Sequence, residues 1–351
     1  MSRRTTSSIL ACALLVALFA VATFLPVPYV TMSPGPTVDV LAETEGEEIV
    51  QIDGQRTYPT DGNLELTTVS VTAPGKELSL PQVLAAWFDK TRAVYPRDAI
   101  YEMDETAEDV ATESSVAMVG SQDTAIAAAL TELGYDLTMS TEIFDVTSDG
   151  PADGKLETRD RIVSVNGTEV VNAEAVVKAV QDAGVGGTVD FVVRRAGKTQ
   201  SVQVTPEAAE DDPDQALVGV AVGEGYDFPF EVSVDIDESI GGPSAGLIFA
   251  LAVYDNLTPG ALTDGLDIAG TGTITGSGTV GPIGGIQQKI VAAADSGSDM
   301  FLVPPDNCDS ALGAGVDEEE IELVKATSLS TAVESIQAYA EDENADLPRC
   351  G

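Results

Sequence analysis

Gly241-Gly242-Pro243-Ser244-Ala245-Gly246 runs directly into Leu247-Ile248-Phe249-Ala250-Leu251-Ala252-Val253-Tyr254, a stretch that is apolar on every face. A strand-like run, Phe230 to Ile236, comes before it. Proline in a first turn, followed by an all-round apolar segment, is the pattern of a buried helix. Ser244 then stands beside N–H groups that the first turn leaves without intrahelical partners, where a developing oxyanion can be stabilised. Serine is also a favoured helix cap, and this segment alone does not separate the two readings.

Downstream, Gly270-Thr271-Gly272-Thr273-Ile274 precedes Gly281-Pro282-Ile283-Gly284-Gly285-Ile286-Gln287-Gln288-Lys289-Ile290-Val291-Ala292-Ala293-Ala294. At 100° per residue Ile286, Lys289, Ile290 and Ala293 share one helix face, so the lysine lies on the apolar stripe. Such a lysine either snorkels to water along its alkyl stem or is desolvated until its neutral amine accepts a proton near pH 7. Lowering its pKa by about three units costs roughly 4 kcal/mol, which a domain with a substantial core tolerates.

Together these segments resemble the proteolytic domain of Lon peptidases, with Pro-Ser-Ala-Gly around a nucleophile and Gly-Gly ahead of a helix bearing a lysine. The resemblance covers roughly 216–340. It implies that Ser244 attacks the peptide bond, that Lys289 is its base, and that Thr271 and Gly242 support them, Thr271 through its hydroxyl. Many members carry an acidic residue three positions before the serine. Gly241 stands there, so that carboxylate's role is absent or falls to Asp237 or Glu238.

Upstream, Gly150-Pro151-Ala152-Asp153-Gly154-Lys155-Leu156 and Asp160-Arg161-Ile162-Val163-Ser164-Val165-Asn166-Gly167 indicate a β-rich unit with an Asn-Gly turn, followed by a helix over Ala173 to Ala183. This stretch, 119–206, resembles a bacterial PDZ domain. The resemblance implies an exposed sheet edge that accepts an extended peptide as an added strand. Gly197-Lys198-Thr199 is not a phosphate-binding loop, because Val192 occupies the position where such a loop needs glycine. A turn at Ala196-Gly197 accounts for it, and no ATPase module is visible. The acidic segment Glu207 to Gln215 reads as a linker.

The 351 residues carry 58 acidic and 17 basic side chains, a net charge of −41 that as a whole repels nucleic acid or an anionic membrane surface, and nucleic acid is set aside as a partner. Such a surface fits a high-salt source or an extracytoplasmic protein. With no histidine, imidazole triads and imidazole zinc sites are excluded, and three cysteines are too few for a thiolate metal site. No cofactor or metal is implied. Arg3 and Arg4 precede an uncharged run from Ile9 to Leu25, read as a transmembrane anchor over 9–28 with the N-terminus in the cytoplasm. A signal peptide cleaved near Ala20-Val21-Ala22 is the rival. Residues 29–118 read as a membrane-proximal β and helical region: a small β unit runs to about Thr72, and 80–134 is helical in pieces, Leu80 to Phe88 and Asp123 to Leu133 among them, with no catalytic chemistry in either stretch. Cys308 and Cys350 both lie outside the membrane on this topology and are candidates for a disulfide.

The expected fold is α/β to α+β, with an anchor, a β unit, a PDZ domain and a Lon-type domain over 216–340. This layout resembles the bacterial PDZ-Lon peptidases. It implies an ATP-independent, extracytoplasmic serine endopeptidase acting on unfolded or extended protein, recruited by the PDZ domain, and in a homo-oligomeric ring. The rival from another class is an inactive PDZ scaffold or holdase.

Overall fold

The computed structural model describes residues 3–44, 46–103, 105–195, 197–209, 212–237, 239–317 and 320–351. Ala196 and Glu238 lie outside the described residues. Arg3–Phe24 forms helix α1, whose segment Ser7–Phe24 is long and apolar enough to cross a membrane and touches little of the folded body. A signal sequence meets the same criterion. The chain continues through β1 (Tyr29–Asp39), β2 (Asn63–Val71), α2 (Leu80–Phe88), β3 (Ala93–Pro96) and the long α3 (Ala107–Glu132). Next come β4 (Thr138–Val146), β5 (Arg161–Val165), α4 (Ala173–Ala183), β6 (Val189–Arg195), β7 (Lys198–Val204) and β8 (Val220–Asp227). The last third holds α5 (Gly246–Leu257), β9 (Asp267–Gly270), α6 (Ile286–Ser296), β10 (Met300–Val303), β11 (Glu322–Lys325) and α7 (Leu329–Glu341).

One six-stranded sheet has the order β11-β10-β9-β2-β1-β3. The first four strands are parallel, while β1 runs antiparallel to both β2 and β3. Parallel strands bury both faces, and Met300, Phe301, Leu302 and Val303 are all buried. Alternate residues feed two cores. Ile268, Met300 and Leu302 pack with Leu247 to Val253 of α5, Ile126 of α3 and Ile336 of α7. Ala269, Phe301 and Val303 pack with Ile286, Ile290 and Ala293 of α6. The segment read as apolar on every face is thus a helix sandwiched inside the protein.

The expected separate β unit near the membrane is corrected here. β2 is a central strand, with Leu64 and Leu66 in register with Ile268 and Gly270, and Asn63 hydrogen-bonds the Asp267 side chain. Period-two alternation identifies a strand but not its neighbour, and this neighbour is some two hundred residues away in sequence.

The other large sheet has the path β7-β6-β5-β4-β8, antiparallel throughout. Val176 and Val180 of α4 join Ile143, Ile162, Phe191 and Val193 in its core. Asn166 and Gly167 adopt positive φ in the turn after β5, as the Asn-Gly pair requires. β8 lies beyond the expected domain edge at residue 206 yet pairs along the whole of β4. Helix α3 packs on α5 and also against β4 and β8, so it joins the two sheets. A disulfide joins Cys308 to Cys350, fastening the C-terminal tail.

Candidate active site

Three glycine-bearing segments bring the site together. Gly242 has φ +93°, a left-handed conformation that side chains resist, and Pro243 then opens a 3₁₀ turn leading into α5. The Gly242 N–H donates to the Ser114 carbonyl at 2.9 Å, and Ser121 Oγ donates to the Pro243 carbonyl at 3.1 Å. Both partners belong to α3, which therefore shapes the serine turn from outside the expected catalytic segment. A Cβ on Gly241 would stand 2.6 Å from the Cβ of Ser114, so the position three before the serine has no room for a carboxylate. Asp237 accepts from the Ser239 N–H at 2.9 Å and caps its own loop, and the Ser239 hydroxyl together with that N–H holds its carboxyl below the usual range. Glu238 lies outside the described residues.

Residues 271–272 clasp the same turn. The Gly272 N–H donates to the Ser244 carbonyl at 2.9 Å, Thr271 Oγ1 donates to that carbonyl at 3.0 Å, and the Leu247 N–H donates to the Gly272 carbonyl at 3.1 Å. Gly285 begins α6 in the left-handed region, φ 70°, where a Cβ would meet Val69 Cγ1 at 2.8 Å and Met32 Sδ at 2.9 Å. Only glycine lets the helix start so close to β1 and β2. One turn on, Lys289 extends into the protein instead of snorkelling, and is 2% exposed.

Lys289 Nζ lies 2.7 Å from Ser244 Oγ and 3.0 Å from Thr271 Oγ1. Neither contact is a carboxylate, so among the described residues no bonded counter-charge offsets the loss of hydration around an ammonium. Burial brings its pKa down from 10.5 to about 7. At neutral pH a large fraction of the amines is then uncharged, with a lone pair beside the serine hydroxyl. The structure brings Ser244, Lys289 and Thr271 into contact and places Gly242 two residues before the serine.

Ser244 opens on two cavities. One of about 250 Å³ is lined by Thr67, Val69, Met118, Ile240 and Lys289, and one of about 490 Å³ by Val69, Pro243, Thr273, Ile283 and Lys289. The expectation that 29–134 plays no part in the site is corrected: β2 walls both openings and α3 holds the serine turn. No local motif marks these residues, because their position depends on pairing across the fold.

Residues 237–334 match the family described as the Lon protease (S16) C-terminal proteolytic domain, and residues 130–205 match the PDZ domain family. The chain therefore carries a Lon-type proteolytic domain, a protease fold, together with a PDZ domain. An archaeal Lon protease of Archaeoglobus fulgidus is 31% identical over 30% of this chain and 17% of its own length. The Lon protease of Campylobacter concisus is 44% identical over 20% of this chain and 9% of its own length. The chain thus spans under a fifth of the length of these curated relatives. The crystal structure of the PDZ domain of an SdrC-like protein from Listeria innocua is 19% identical, covering 24% of this chain and 92% of that one at a TM-score of 0.22.

Proposed function

We propose that this chain is a serine endopeptidase that cuts extended or unfolded protein outside the membrane, without ATP, with Ser244 as nucleophile and Lys289 as base. The observation that carries the reading is the 2.7 Å approach of a buried lysine amine to a serine hydroxyl at the mouth of two cavities.

The chemistry follows from the contacts. Ser244 Oγ attacks the substrate carbonyl carbon as its proton passes to Lys289 Nζ. The carbonyl oxygen gains the negative charge and faces the N–H groups of the turn around Ala245, at the head of α5. The ammonium of Lys289 then gives its proton to the leaving amine nitrogen as the C–N bond breaks, leaving an ester on Ser244. Water, deprotonated by the same amine, attacks that ester and restores the hydroxyl. Thr271 orients the amine, since it accepts from Lys289 and donates to the Ser244 carbonyl.

Each step uses water and protons alone, so bond cleavage itself requires no nucleotide. Gly197-Lys198-Thr199 supplies no phosphate site, because Lys198 pairs with Arg195 across a β-hairpin. The Cys308–Cys350 disulfide suits an oxidising compartment, and α1 suits an anchor. β8 ends its sheet beside α4, where an extended peptide would add as a strand.

The test is digestion of an unfolded protein by the purified chain without nucleotide, with Ser244→Ala as control. Cleavage by the parent chain alone is expected. Cleavage by both would remove Ser244 from the nucleophile's role, and cleavage by neither would favour the scaffold reading.

A further inference from the structure

Helix α2 presents an apolar face that no other described residue covers. Its Val83 and Ala86 point into the body and are buried. Leu80, Leu84, Trp87 and Phe88, at helical spacings of four, three and one, point out, and Trp87 and Phe88 are 68% and 83% exposed. A lone exposed leucine is ordinary, but four large apolar side chains on one helical face of a very acidic protein are not.

The position of this face identifies what lies against it. Residues 26 and 27, immediately after α1, pair with Ser79 and Leu78, and Ser79 begins α2, its N–H donating to Gln82 Oε1 at 2.9 Å. The chain therefore leaves α1 at the place where α2 starts, and the two helices meet there. Charge agrees. Between residues 76 and 97 the basic side chains are Lys76, Lys90, Arg92 and Arg97, against Glu77 and Asp89, in a chain whose net charge is −41. The Asp89 carboxylate is engaged by Arg92 at 3.3 Å. An apolar helix face with tryptophan, flanked by cations and level with the end of a spanning helix, is suited to the headgroup layer of a bilayer with anionic lipids.

We propose that α2 lies in the interfacial layer of the bilayer that α1 enters, so that Trp87 and Phe88 seat the protease body on the membrane surface. This rests on the reading of α1 as a membrane span. The consequence is geometric: the catalytic sheet, whose β1 and β3 flank α2, is held at a fixed height above the lipid instead of swinging on a tether.

Trp87 is the only tryptophan in the chain, so its emission reports this face alone. The full chain is reconstituted into phosphatidylcholine–phosphatidylglycerol vesicles, with and without lipids brominated on the upper acyl chain, and vesicle flotation is measured alongside. Expected are co-flotation and a loss of about half of the Trp87 emission in brominated vesicles, as for a side chain at interfacial depth. Leu84→Ser/Phe88→Ser, which keeps Trp87, is expected to float equally but lose most of that quenching. Co-flotation with unquenched Trp87 would overturn the proposal while leaving the anchor intact, and a blue-shifted but unquenched emission would assign the face to a second copy of the chain instead. Unchanged quenching in the double variant would also overturn it, since α1 alone would then be bringing Trp87 to the lipid. Failure to float would remove the anchor and the seating together.

Discussion

Two of the regions that bury ionisable groups, around Lys289 and around Asp123 and Glu142, solve the problem in opposite ways. Lys289 enters the interior alone. Its partners are two hydroxyls, and burial brings its pKa down to about 7. Asp123 of α3 and Glu142 of β4 are buried together, with cations at hand: Arg159 bonds Asp123 at 2.9 Å, while Arg161 lies 3.6 Å from Glu142 and 3.0 Å from Asp227. Arg159 also reaches Gln122. Burial pushes the Glu142 carboxyl up to about 8 and raises Asp123 as well. Asp123 Oδ2 and Glu142 Oε2 both lie beside Gly225 and, as two acceptors, bond nothing unless a proton sits between them. We place that proton on Glu142, leaving the Asp123 charge to Arg159. On the proposed mechanism the lone buried group serves as a base, whereas the compensated pair makes a joint between α3 and the PDZ sheet. Burial by itself does not mark a reactive group; burial without a counter-charge, beside a nucleophile, does.

The largest effect that tests this contrast is loss of the amine. Lys289→Arg keeps the charge but stays protonated at any working pH, and Lys289→Met keeps the buried shape without the proton acceptor; each should lose at least about 10³-fold in kcat/KM. Methionine should also raise stability. Between pH 7 and 10.5 the unfolded chain binds more protons at Lys289 than the folded one, so the cost of burying the amine is full below pH 7 and fades as pH rises. The stabilisation by methionine, read from denaturant midpoints, should therefore be greatest at pH 7 or below and small above pH 10.5. In the parent chain activity should rise with pH through about 7. A rise only near 10 would mean an ordinary lysine, and the contrast would fail.

Next in size is the compensated side. Arg159→Met leaves Asp123 buried without its strongest partner and should cost about 3 kcal/mol of stability, measured by denaturant unfolding. The same substitution should leave the cleavage of a short peptide far less affected than Lys289→Met, when both are assayed well below the midpoint. Smaller again is Thr271→Val, which removes one acceptor from the amine and one donor from the Ser244 carbonyl but retains nucleophile and base. A loss of roughly tenfold to a hundredfold in kcat, with KM little changed, separates an orienting hydroxyl from a catalytic one.

The contrast also explains what the sequence could and could not display. Ser244 and Lys289 were legible because each lies in a short motif with its own local physics: glycines and proline at helix starts, and one charge on an apolar stripe. The β5 strand and its Asn166-Gly167 turn were legible for the same reason. The role of β2 was not, because Leu64-Glu65-Leu66 alternates like any strand and says nothing of Ile268 beside it. Ser114 and Ser121 were hidden in an ordinary-looking helix. The carboxylate pair was equally hidden: Asp123 sits in an alanine-rich helix and Glu142 in a strand, 19 positions apart, and only the docking of α3 on β4 and β8 makes them neighbours.

The smallest expected effect is also the one that most sharply divides the two sites. Glu142 has its pKa raised, from 4.5 to about 8, so at pH 7 it is already largely protonated, and Glu142→Gln replaces a neutral acid by a neutral amide. The change at pH 7 should be under about 1 kcal/mol, provided that the amide donates to Asp123 as the acid does. Its signature lies in the slope. Between pH 4.5 and 8 the folded chain holds a proton at Glu142 that the unfolded chain has released, so this group makes the parent chain less stable as pH rises through that window. Lys289 makes it more stable as pH rises, in the window from 7 to 10.5. Glu142→Gln should therefore flatten the loss below pH 8 and leave the gain above it, and Lys289→Met should do the reverse. Unfolding midpoints of the parent and both variants at pH 5, 7 and 9 read both slopes at once. If Glu142→Gln leaves the lower slope unchanged, the carboxylates do not share a proton, and Glu142 is ionised against Arg161 as in an ordinary ion pair.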